Sequence, residues 1–545
     1  MARAYSRFLA LTAVLALVVS ACGGDETTST TQAPATTTTQ APVETTEAAP
    51  ETTQAAETEA PTTTAAPAPA PAPAGARIVV GLGNEPGSLD PQAVDQFAMF
   101  TINGNVFDKL VTRDSGGQLI PGVATDLGTP IDDTTWQYTV QEGITFHNGE
   151  PLNADAVVHS VLRIIDPDFP TPLKDNLGTL VGAEKVDEYT VNILTSGPDP
   201  LIPTRMTLLY IVPPEASQSA DFGENPVGSG PYRFVSWELG VAVELEADPD
   251  YRGGAPAVSE ARFTFIEEYG TRLAGVLNDE IDLMVDLLPE DGSRVDQSWT
   301  TPTGLKQFIV SLNARAGSPV EDVRIRQALN YAVDKEAIAD GLFSGIAEVL
   351  DGQMLNSNWF GYNADLDPYP YDPDRARALL AEAGATDLEI QLVSLVGNSL
   401  LDRETTEAVA AYWADVGVNA DIFIPEFSEY IDRLIDRESR PDAIFVPHDN
   451  LLFDGDRTLS AYYHSQGCCG SMDPSEADDW IDAGRTELDQ AARLQMYNDV
   501  GQAGHDQAWY VWLVSIPNVF AGTDRIDWSA RADGLIHLAD IAVSS

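Results

Sequence analysis

The sequence predicts a mixed α/β protein with two lobes, preceded by an N-terminal region that joins neither core. Beyond residue 75, short apolar strands alternate with amphipathic helices, which is typical of α/β folds. The segment 76–545 is longer than a single lobe is expected to be. The chain has 43% hydrophobic residues, which is enough to form a large core. No repeat of fixed period is visible, so we expect two lobes rather than a repeat array.

The first elements of the folded part mix strands and helices. Arg77–Leu82 is a short apolar strand, and the turn-rich segment Asn84–Pro91 that follows fits a loop at a sheet edge. Helical periodicity follows near Gln96–Leu110, and Trp136–Val140 alternates as a strand does. Asn153 begins a second amphipathic helix, because asparagine is a preferred N-cap residue.

The downstream elements alternate more regularly between helix and strand. The predicted elements are a helix at Val323–Val333, a helix capped by Asp372 and ending at Gly384, a strand at Leu388–Leu395, a helix at Glu404–Val416, strands at Ala420–Ile424 and Ala443–Val446, and helices at Phe427–Ile435 and Ala491–Val500. This alternation indicates an α/β second lobe.

Residues 1–21 have the layout of a bacterial secretory signal peptide. Two arginines precede an apolar run over residues 8–19 that is too short to span a bilayer comfortably. The segment Val19-Ser20-Ala21-Cys22 resembles the lipobox of bacterial lipoproteins, in which the cysteine becomes the acylated N-terminus. We therefore expect export and a lipid anchor at Cys22 on the extracellular or periplasmic face of the cell membrane. The alternative is an ordinary cleaved leader with Cys22 as an incidental thiol.

Residues 22–75 follow as a stalk of Thr, Pro, Ala, Glu and Gln. This composition lacks the apolar side chains that offset the entropy of ordering, so we expect a disordered, partly extended tether behind the lipidated cysteine. No later apolar run is long enough to cross a bilayer.

The charge of the chain is strongly negative, with 84 acidic and 30 basic residues and a formal net charge of −54. Such a surface repels nucleic acid, so no nucleic-acid partner is expected. Surface acidity of this kind also arises independently of the ligand, and it does not identify the ligand as a cation.

Motifs of catalysis are missing from the sequence. Gly81-Leu82-Gly83 is followed by a glycine at the wrong spacing for a dinucleotide fingerprint, and Pro86 interrupts the helix that such a site needs. There is no phosphate-binding loop, zinc helix or nucleophile elbow, and none of the six histidines forms a close ligand pair. We expect neither an enzyme nor a bound cofactor or metal.

The two cysteines beyond Cys22 are adjacent, at Cys468 and Cys469. Their spacing does not match a zinc site. In an oxidising compartment they are candidates for a vicinal disulfide, with two free thiols as the alternative.

Six segments in order resemble one family, the family 5 extracellular solute-binding proteins, which include dipeptide-, oligopeptide- and nickel-binding proteins that serve ABC importers. The segments are Glu85–Pro91, Pro121–Ala124 leading to Trp136, Gly143–Leu152, Pro226–Tyr232, Asp322–Asp334 and Tyr371–Gly384. Together they run from the first strand to the middle of the predicted second lobe.

The resemblance implies a periplasmic-binding-protein-like fold of the class II, or cluster C, type, with a hinge and a ligand cleft between two lobes. By analogy the larger lobe comprises residues 76–312 with 518–545, and the second lobe comprises residues 313–517. The implied partners are a small solute and ABC permease subunits, and the implied state is a monomer.

The resemblance also suggests ligand-binding residues. In peptide-binding members a Gly-Trp-containing loop supplies an aspartate for the amino terminus of the ligand, and the best counterpart here provides Asp449 and Asn450, with Val446 in place of the tryptophan. The Ser88-Leu89 loop is expected to hold polar ends of the ligand. Trp512 belongs to an alternating aromatic strand that either packs in the core or forms a wall of the cleft.

These features predict a solute-binding lipoprotein of an ABC importer, with a di- or oligopeptide as the expected cargo. The substitution of the loop tryptophan by Val446 leaves an oligosaccharide or a metal chelate as an alternative cargo. A surface receptor that keeps the fold without feeding a transporter is a further alternative.

Overall fold

Two ranges of the chain, residues 75–396 and 399–543, are described by a computed structural model of the protein. The expected signal peptide, Cys22 and the stalk up to residue 74 lie outside the described residues. All described residues belong to one compact unit. Within them, no helix is both long enough and apolar enough to cross a membrane.

The strands are mostly short and fall into three larger sheets and two small ribbons. Their bounds are β1 (Ala76–Leu82), β2 (Val111–Arg113), β3 (Leu119–Pro121), β4 (Thr129–Asp132), β5 (Thr135–Thr139), β6 (Leu180–Lys185), β7 (Thr190–Thr195), β8 (Tyr232–Glu238), β9 (Ala242–Ala247), β10 (Val258–Phe265), β11 (Leu283–Val285), β12 (Gln297–Thr300), β13 (Lys306–Leu312), β14 (Glu348–Val349), β15 (Leu388–Val393), β16 (Val418–Phe423), β17 (Ala443–Asp449), β18 (Tyr510–Ile516), β19 (Val519–Gly522), β20 (Ile526–Asp527) and β21 (Ala542–Val543).

The helices lie mainly around the second large sheet. Their bounds are α1 (Phe97–Val106), α2 (Ala154–Ile165), α3 (Ile202–Arg205), α4 (Tyr269–Leu277), α5 (Val323–Tyr331), α6 (Lys335–Phe343), α7 (Pro373–Ala383), α8 (Asp402–Asp415), α9 (Phe427–Ile435), α10 (Gly455–Thr458), α11 (Glu476–Gly484) and α12 (Gln490–Asp506). Short 3-10 turns occur at Pro172–Asn176, Ala216–Gln218, Pro289–Arg294 and Leu538–Asp540, and a π-helical turn occurs at Leu459–Tyr463.

The first lobe is built on a seven-stranded sheet with the order β12-β19-β11-β1-β10-β9-β8. β1 pairs in parallel with β10 and β11, and the other pairs in this sheet are antiparallel. Ile78, Val80 and Leu82 on β1 enter the main core of the lobe, whereas Val79 packs on the opposite face of the sheet. A separate sheet, β4-β5-β7-β6, carries α2 against its outer strand.

The second lobe is built on a six-stranded sheet with the order β14-β18-β13-β17-β15-β16. Its central strands are buried on both faces, so alternate residues of one strand enter different cores. On β18, for example, Val511 and Leu513 face one core, and Tyr510 and Trp512 face the other. The two-lobed α/β fold predicted from the sequence is confirmed.

The chain passes between the two large sheets twice. β12 lies in the first sheet and β13 in the second, and β18 lies in the second sheet and β19 in the first. The connections are therefore residues 301–305 and 517–518. The expected lobe limits after residues 312 and 517 remain a prediction. The first of them comes after β13, whereas the chain changes sheet before β13.

Local capping signals in the sequence match the helix ends. The side chain of Asn153 accepts hydrogen bonds from the backbone N–H groups of Asp155 and Ala156 at the start of α2. Asp372 accepts one from Arg375 at the start of α7, and that helix ends at Gly384 with φ of 72°. These two predicted helices are confirmed.

The predicted helix at Gln96–Leu110 is too long, because α1 ends at Val106. The carbonyl of Val106 accepts a hydrogen bond from the N–H of Gly230 at 2.8 Å, so a distant loop replaces the next helical turn. The chain then continues in an extended form, and Lys109 bridges to Tyr210. This early end takes Lys109 out of the helix and into the wall of a cavity between the lobes.

Candidate functional site

A cavity with a volume of ≈ 370 Å³ lies where the two lobes meet. The first lobe contributes residues around α1 and β2 and the C-terminal segment 533–537, and the second lobe contributes residues 305–306 and 449–453. Cavities of this size suit a small molecule.

Asp449 is placed at this cavity by strand pairing. It is the last residue of β17 and lies opposite Lys306 on the antiparallel strand β13. Its side chain is 58% exposed, and its nearest ion-pair partner is the Arg457 guanidinium at 4.0 Å. No hydrogen bond to the Asp449 carboxylate is found among the described residues, so this group is available to a ligand.

Asn450 also lines the cavity, but its side chain is committed to the protein. Its amide donates to the carbonyl of Asp454 at 2.7 Å and to the hydroxyl of Thr458 at 2.9 Å, and its oxygen accepts from the N–H of Leu452. Asn450 therefore shapes the 449–454 loop that presents Asp449.

A buried ion pair holds the end of the same loop. Arg493 on α12 donates to both carboxylate oxygens of Asp454, at 2.7 and 2.6 Å. The two side chains are 1% and 7% exposed. Bidentate pairs of this kind fix geometry, and this one ties the 449–454 loop to the body of the second lobe.

The loop also reaches across to the first lobe. Leu452 is buried against Leu201 and Leu208 of that lobe. Arg113 donates to the Leu452 carbonyl at 2.6 Å, and its guanidinium carbon lies 4.5 Å from the centroid of the Phe453 ring. The second-lobe wall of the cavity is therefore in direct contact with the first lobe.

On the first-lobe wall, the backbone around Lys109 packs closely against two glycines. Gly228 lies in the segment Pro226–Tyr232 and Gly122 in the segment Pro121–Ala124, both of which resemble the family. A Cβ atom on Gly228 would come within 1.8 Å of the Val106 carbonyl oxygen, and one on Gly122 would come within 2.2 Å of the Lys109 carbonyl oxygen. Only glycine permits these approaches. His147 supports the first of the two segments, because its Nε2 donates to the Gly230 carbonyl at 2.9 Å.

The ammonium of Lys109 lies 4.2 Å from the centroid of the Tyr210 ring, close enough for a cation–π contact. Burial lowers the pKa of Lys109 to about 8, although the neighbouring Asp533 acts in the opposite direction. Burial also lowers the pKa of Arg113 to about 10. Arg113 uses its donors on the carbonyls of Gly117 and Leu452.

The C-terminal segment completes this wall. The side chain of Arg531 donates to both carboxylate oxygens of Asp533. Burial acts to raise the pKa of Asp533, but Arg531 outweighs it and holds the pKa below its usual value. Burial, together with the positive charge of Arg531, lowers the pKa of His537 to about 4, so the imidazole is neutral at pH 7.

Asp95 is a second acidic group at the mouth of the cavity, just before α1. Loss of solvent raises the pKa of Asp95, Arg457 lowers it, and the negative charge of Asp449 raises it further. Asp95 from the first lobe and Asp449 from the second therefore lie close enough to influence each other.

The lining of the cavity is balanced in charge, although the chain as a whole is strongly acidic. The lining acids are Asp95, Asp449 and Asp533, and the lining bases, besides His537, are Lys109, Arg113 and Lys306. With 84 acidic and 30 basic residues in the chain, this balance marks the cavity as a site suited to a ligand that carries both charges.

The structure does not bring Ser88 and Leu89 to this cavity. The Leu89 side chain is fully buried and its N–H donates to the carbonyl of Gly223, while the Ser88 hydroxyl accepts from the N–H of Asp90. Asp90 in turn pairs with Arg163 on α2. The Ser88-Leu89 loop is therefore packed into the first lobe and stabilises it.

Trp512 does not reach the cavity either. Its side chain is 1% exposed, and its ring packs parallel to that of Tyr369, with centroids 6.0 Å apart. The sheet of the second lobe is covered on both faces, so the alternating aromatic residues of β18 enter a core rather than a cleft. The packing interpretation of this strand fits the structure.

The two adjacent cysteines lie in the second lobe, away from the lining of the cavity, with their sulfur atoms 2.9 Å apart as free thiols. The hydrogen bond with Cys469 lowers the pKa of Cys468 to about 7, and the same contact, aided by burial, raises the pKa of Cys469. The candidate disulfide remains a prediction.

Among residues 75–396 and 399–543, no group of three or more His, Cys, Asp or Glu side chains is arranged to hold a metal ion.

The fold and the position of the cavity define a class of protein: two α/β lobes with a small-molecule site between them are characteristic of solute-binding proteins. The profile of the bacterial extracellular solute-binding proteins, family 5 (middle region), matches residues 118–467, so the chain belongs to this family. The family resemblance noted in the sequence is confirmed, and the chain is a solute-binding protein of the type that serves ABC transporters.

Characterised relatives differ in the solutes for which they are named. The dipeptide-binding protein of Escherichia coli K12 is 28% identical over 447 residues, covering 74% of this chain and 82% of that protein. The nickel-binding periplasmic protein of the same strain is 26% identical over 457 residues, covering 78% and 86%. The structure of HbpA2 from Haemophilus parasuis matches with a TM-score of 0.77 at 23% identity, covering 86% of this chain and 100% of that one. These relatives are solute-binding proteins rather than enzymes.

Proposed function

We propose that this protein is the substrate-binding component of an ABC importer and that it captures a di- or oligopeptide between its lobes. The observation that carries the proposal is the Asp449 carboxylate, which lies at the wall of the cavity between the lobes without a hydrogen bond from any described residue. The dipeptide-binding relatives are consistent with this cargo.

The role of Asp449 follows from the cost of desolvation. A peptide α-ammonium that is enclosed between two lobes loses its water and needs an anionic hydrogen-bond acceptor. Asp449 provides that acceptor from the second lobe, and Asp95 adds negative charge from the first lobe. The Arg457 guanidinium at 4.0 Å is too distant to satisfy the Asp449 carboxylate.

Transport requires that the loaded form differ from the empty form. A solute that contacts both walls stabilises the arrangement in which the lobes are closed, and the permease then recognises that arrangement. The contact between Leu452 and the first lobe is the protein's own contribution to the same closure.

The proposed location of the protein is the outer face of the cell membrane, and its proposed state is a monomer. Export by a cleaved signal peptide and acylation of Cys22 would anchor the protein to the outer face of the cell membrane, with residues 23–75 as a tether. A monomer is sufficient, because the cavity is complete within one chain. The protein acts by binding and release, without catalysis.

The test is isothermal titration calorimetry of the full-length protein with a panel of di- to pentapeptides. We expect at least one peptide class to bind, and Asp449→Asn to weaken its binding by roughly 10- to 100-fold, the range expected for a hydrogen bond to a charged group. Asp168→Asn is the matched control, because Asp168 is an exposed acid outside the lining of the cavity.

Two results would contradict the proposal. Failure of every peptide to bind would exclude peptide import, and an Asp449→Asn variant that binds as tightly as the Asp168→Asn control would exclude Asp449 as the ammonium partner.

A metal chelate is the second candidate cargo. The Lys109 ammonium lines the cavity without a hydrogen-bond acceptor among the described residues, which favours a ligand that carries negative charge, and a structurally similar protein, NikA from Brucella suis, was solved in complex with Fe(III)-EDTA. Titration with Ni(II)-histidine and Fe(III)-EDTA alongside the peptides distinguishes the two cargoes.

A further inference from the structure

Lys109 differs from every other lysine of the chain. The chain has five lysines, at positions 109, 174, 185, 306 and 335. Lys174 and Lys335 donate to backbone carbonyls, Lys185 pairs with Asp155, and Lys306 donates to the Ser399 hydroxyl. Lys109 alone has no hydrogen-bond acceptor among the described residues, although its ammonium lies at the wall of the cavity.

The groups nearest to this ammonium are already engaged. Arg531 binds both oxygens of the Asp533 carboxylate, which also accepts from the N–H of Leu535. Tyr210 offers only the face of its ring, at 4.2 Å from the ammonium nitrogen. The N–H donors of the Lys109 ammonium are therefore free to bind an acceptor inside the cavity.

The backbone around Lys109 is held in place before any ligand arrives. Lys109 forms an isolated β-bridge with Tyr210, and its carbonyl accepts from the N–H of Val123 at 2.8 Å. Gly122 and Gly228 admit the close backbone contacts on either side. Because the backbone of Lys109 is already fixed, its side chain loses little conformational freedom when the ammonium binds a ligand.

The free acids and the free ammonium have different charged neighbours. Asp95 is influenced by Arg457 and Asp449, whereas Lys109 is influenced by Asp533, Arg531 and Arg113. Asp449 belongs to the second-lobe wall and Lys109 to the first-lobe wall, so one cavity offers an anionic group and a cationic group on separate walls.

We propose that Lys109 binds the carboxylate of the captured solute, so that the cavity selects a ligand with an ammonium group beside Asp449 and a carboxylate beside Lys109. A partly desolvated ammonium without an acceptor is costly, and a ligand carboxylate supplies the missing charge-assisted hydrogen bond. This inference rests on the proposed function, because it specifies the second charge of the peptide ligand.

The experiment compares each binding peptide as its free acid and as its C-terminal amide, in calorimetric titrations of the full-length protein. The wild type is expected to prefer the acid by about 10-fold or more, since a hydrogen bond between charged groups is lost in the amide. The preference is expected to disappear in Lys109→Met and to persist in Lys109→Arg, which keeps the charge.

Lys185→Met is the matched control, because Lys185 forms an exposed ion pair with Asp155 outside the lining of the cavity. Its preference for the acid should equal that of the wild type. Thermal unfolding of each variant verifies that it is folded before titration. If Lys109→Met fails to fold, Lys109→Gln, which is also uncharged but remains polar, takes its place in the same comparison.

The outcomes separate this inference from the proposed function. Peptides that bind equally well as acid and amide, or a preference that survives in Lys109→Met, would overturn the role of Lys109 and leave peptide binding intact. If no peptide binds in either form, the peptide proposal fails and the role of Lys109 fails with it.

Discussion

The two walls of the cavity present charge in different ways. On the second-lobe wall, Asp449 stands at the end of a strand with its side chain 58% exposed, in a loop that a buried ion pair holds in place. On the first-lobe wall, Lys109 is partly buried, and its pKa is lowered to about 8 by that burial. An exposed charge contributes little until lobe closure removes its water, whereas a desolvated charge already favours a partner. Specificity is therefore expected to depend on Lys109 before closure and on Asp449 after it.

The largest expected effect is a loss of stability when the buried ion pair that holds the 449–454 loop is broken. Arg493→Met leaves the buried Asp454 carboxylate without its partner, so the free energy of unfolding should fall by roughly 3–5 kcal/mol. Urea denaturation followed by tryptophan fluorescence measures the change. Arg377→Met is the control, because Arg377 pairs with Asp374 on the surface and should cost little. Equal stabilities of the two variants would show that the 449–454 loop does not depend on the ion pair.

The next largest loss of stability is expected when the contact between Leu452 and the first lobe is removed. Leu452→Ala removes a side chain that is 2% exposed and packed against Leu201 and Leu208, so the free energy of unfolding should fall by about 2–5 kcal/mol. Leu451→Ala changes a neighbour that is 38% exposed and should shift stability by no more than about 0.5 kcal/mol. Denaturation of both variants compares them directly, and similar losses would mean that the lobes are not joined through Leu452.

The sequence predicted the elements of the fold better than it predicted the site. Capping residues such as Asn153 and Asp372 act locally, so they indicate helix ends without any knowledge of tertiary structure. The family resemblance suggested Asp449, which lines the cavity, whereas Trp512 is buried in the second lobe and the partly buried Ser88 lies in a loop packed into the first lobe. The positions of Ser88 and Trp512 depend on which segments become neighbours in the fold, and local pattern does not reveal this.

Lys109 was missed for a related physical reason. In the sequence it lies in a segment with helical periodicity, where a lysine is expected on the solvent-facing side. Its actual surroundings come from Tyr210 and Asp533, which are distant in the sequence. The signal that could have drawn attention to it is the scarcity of lysine, since only five occur in a chain with 84 acidic residues.

A smaller effect is expected on the pH dependence of solute binding, which tests directly whether the charge of Lys109 contributes to it. The other groups that face its ammonium are Asp533, Arg531, Arg113, His537 and Tyr210. The pKa of His537 is lowered to about 4 and that of Asp533 is also lowered, while burial raises the pKa of Tyr210 and the pKa of Arg113 is about 10. Lys109 is therefore the group on this wall that titrates between pH 7 and 9.

As the pH rises through about 8, Lys109 loses its proton and with it the charge that binds a carboxylate. The α-amino group of a peptide titrates in the same range, so the reference is Lys109→Arg, which stays charged. We expect the ratio of wild-type to Lys109→Arg affinity to fall by up to about tenfold between pH 7 and 9. A ratio that is constant with pH in calorimetric titrations would contradict a role for the Lys109 charge.

The smallest effect on binding is expected from the adjacent cysteines, which lie outside both walls. We predict that Cys468 and Cys469 form a disulfide under oxidising conditions, because the lowered pKa of Cys468 favours the reactive thiolate. Iodoacetamide should then modify both residues only after reduction, as measured by mass spectrometry, and solute affinity should be unchanged by the reductant. Modification without reduction would show that the thiols remain free.

The most direct test of the whole account is a calorimetric titration of one binding tripeptide in four forms: free, N-acetylated, C-terminally amidated, and blocked at both ends. Each block is expected to weaken binding by about tenfold or more, and the two losses are expected to multiply, because separate walls bind the two charges. If the doubly blocked peptide binds as tightly as the free one, the cavity does not recognise the two ends of a zwitterion, and the account is wrong.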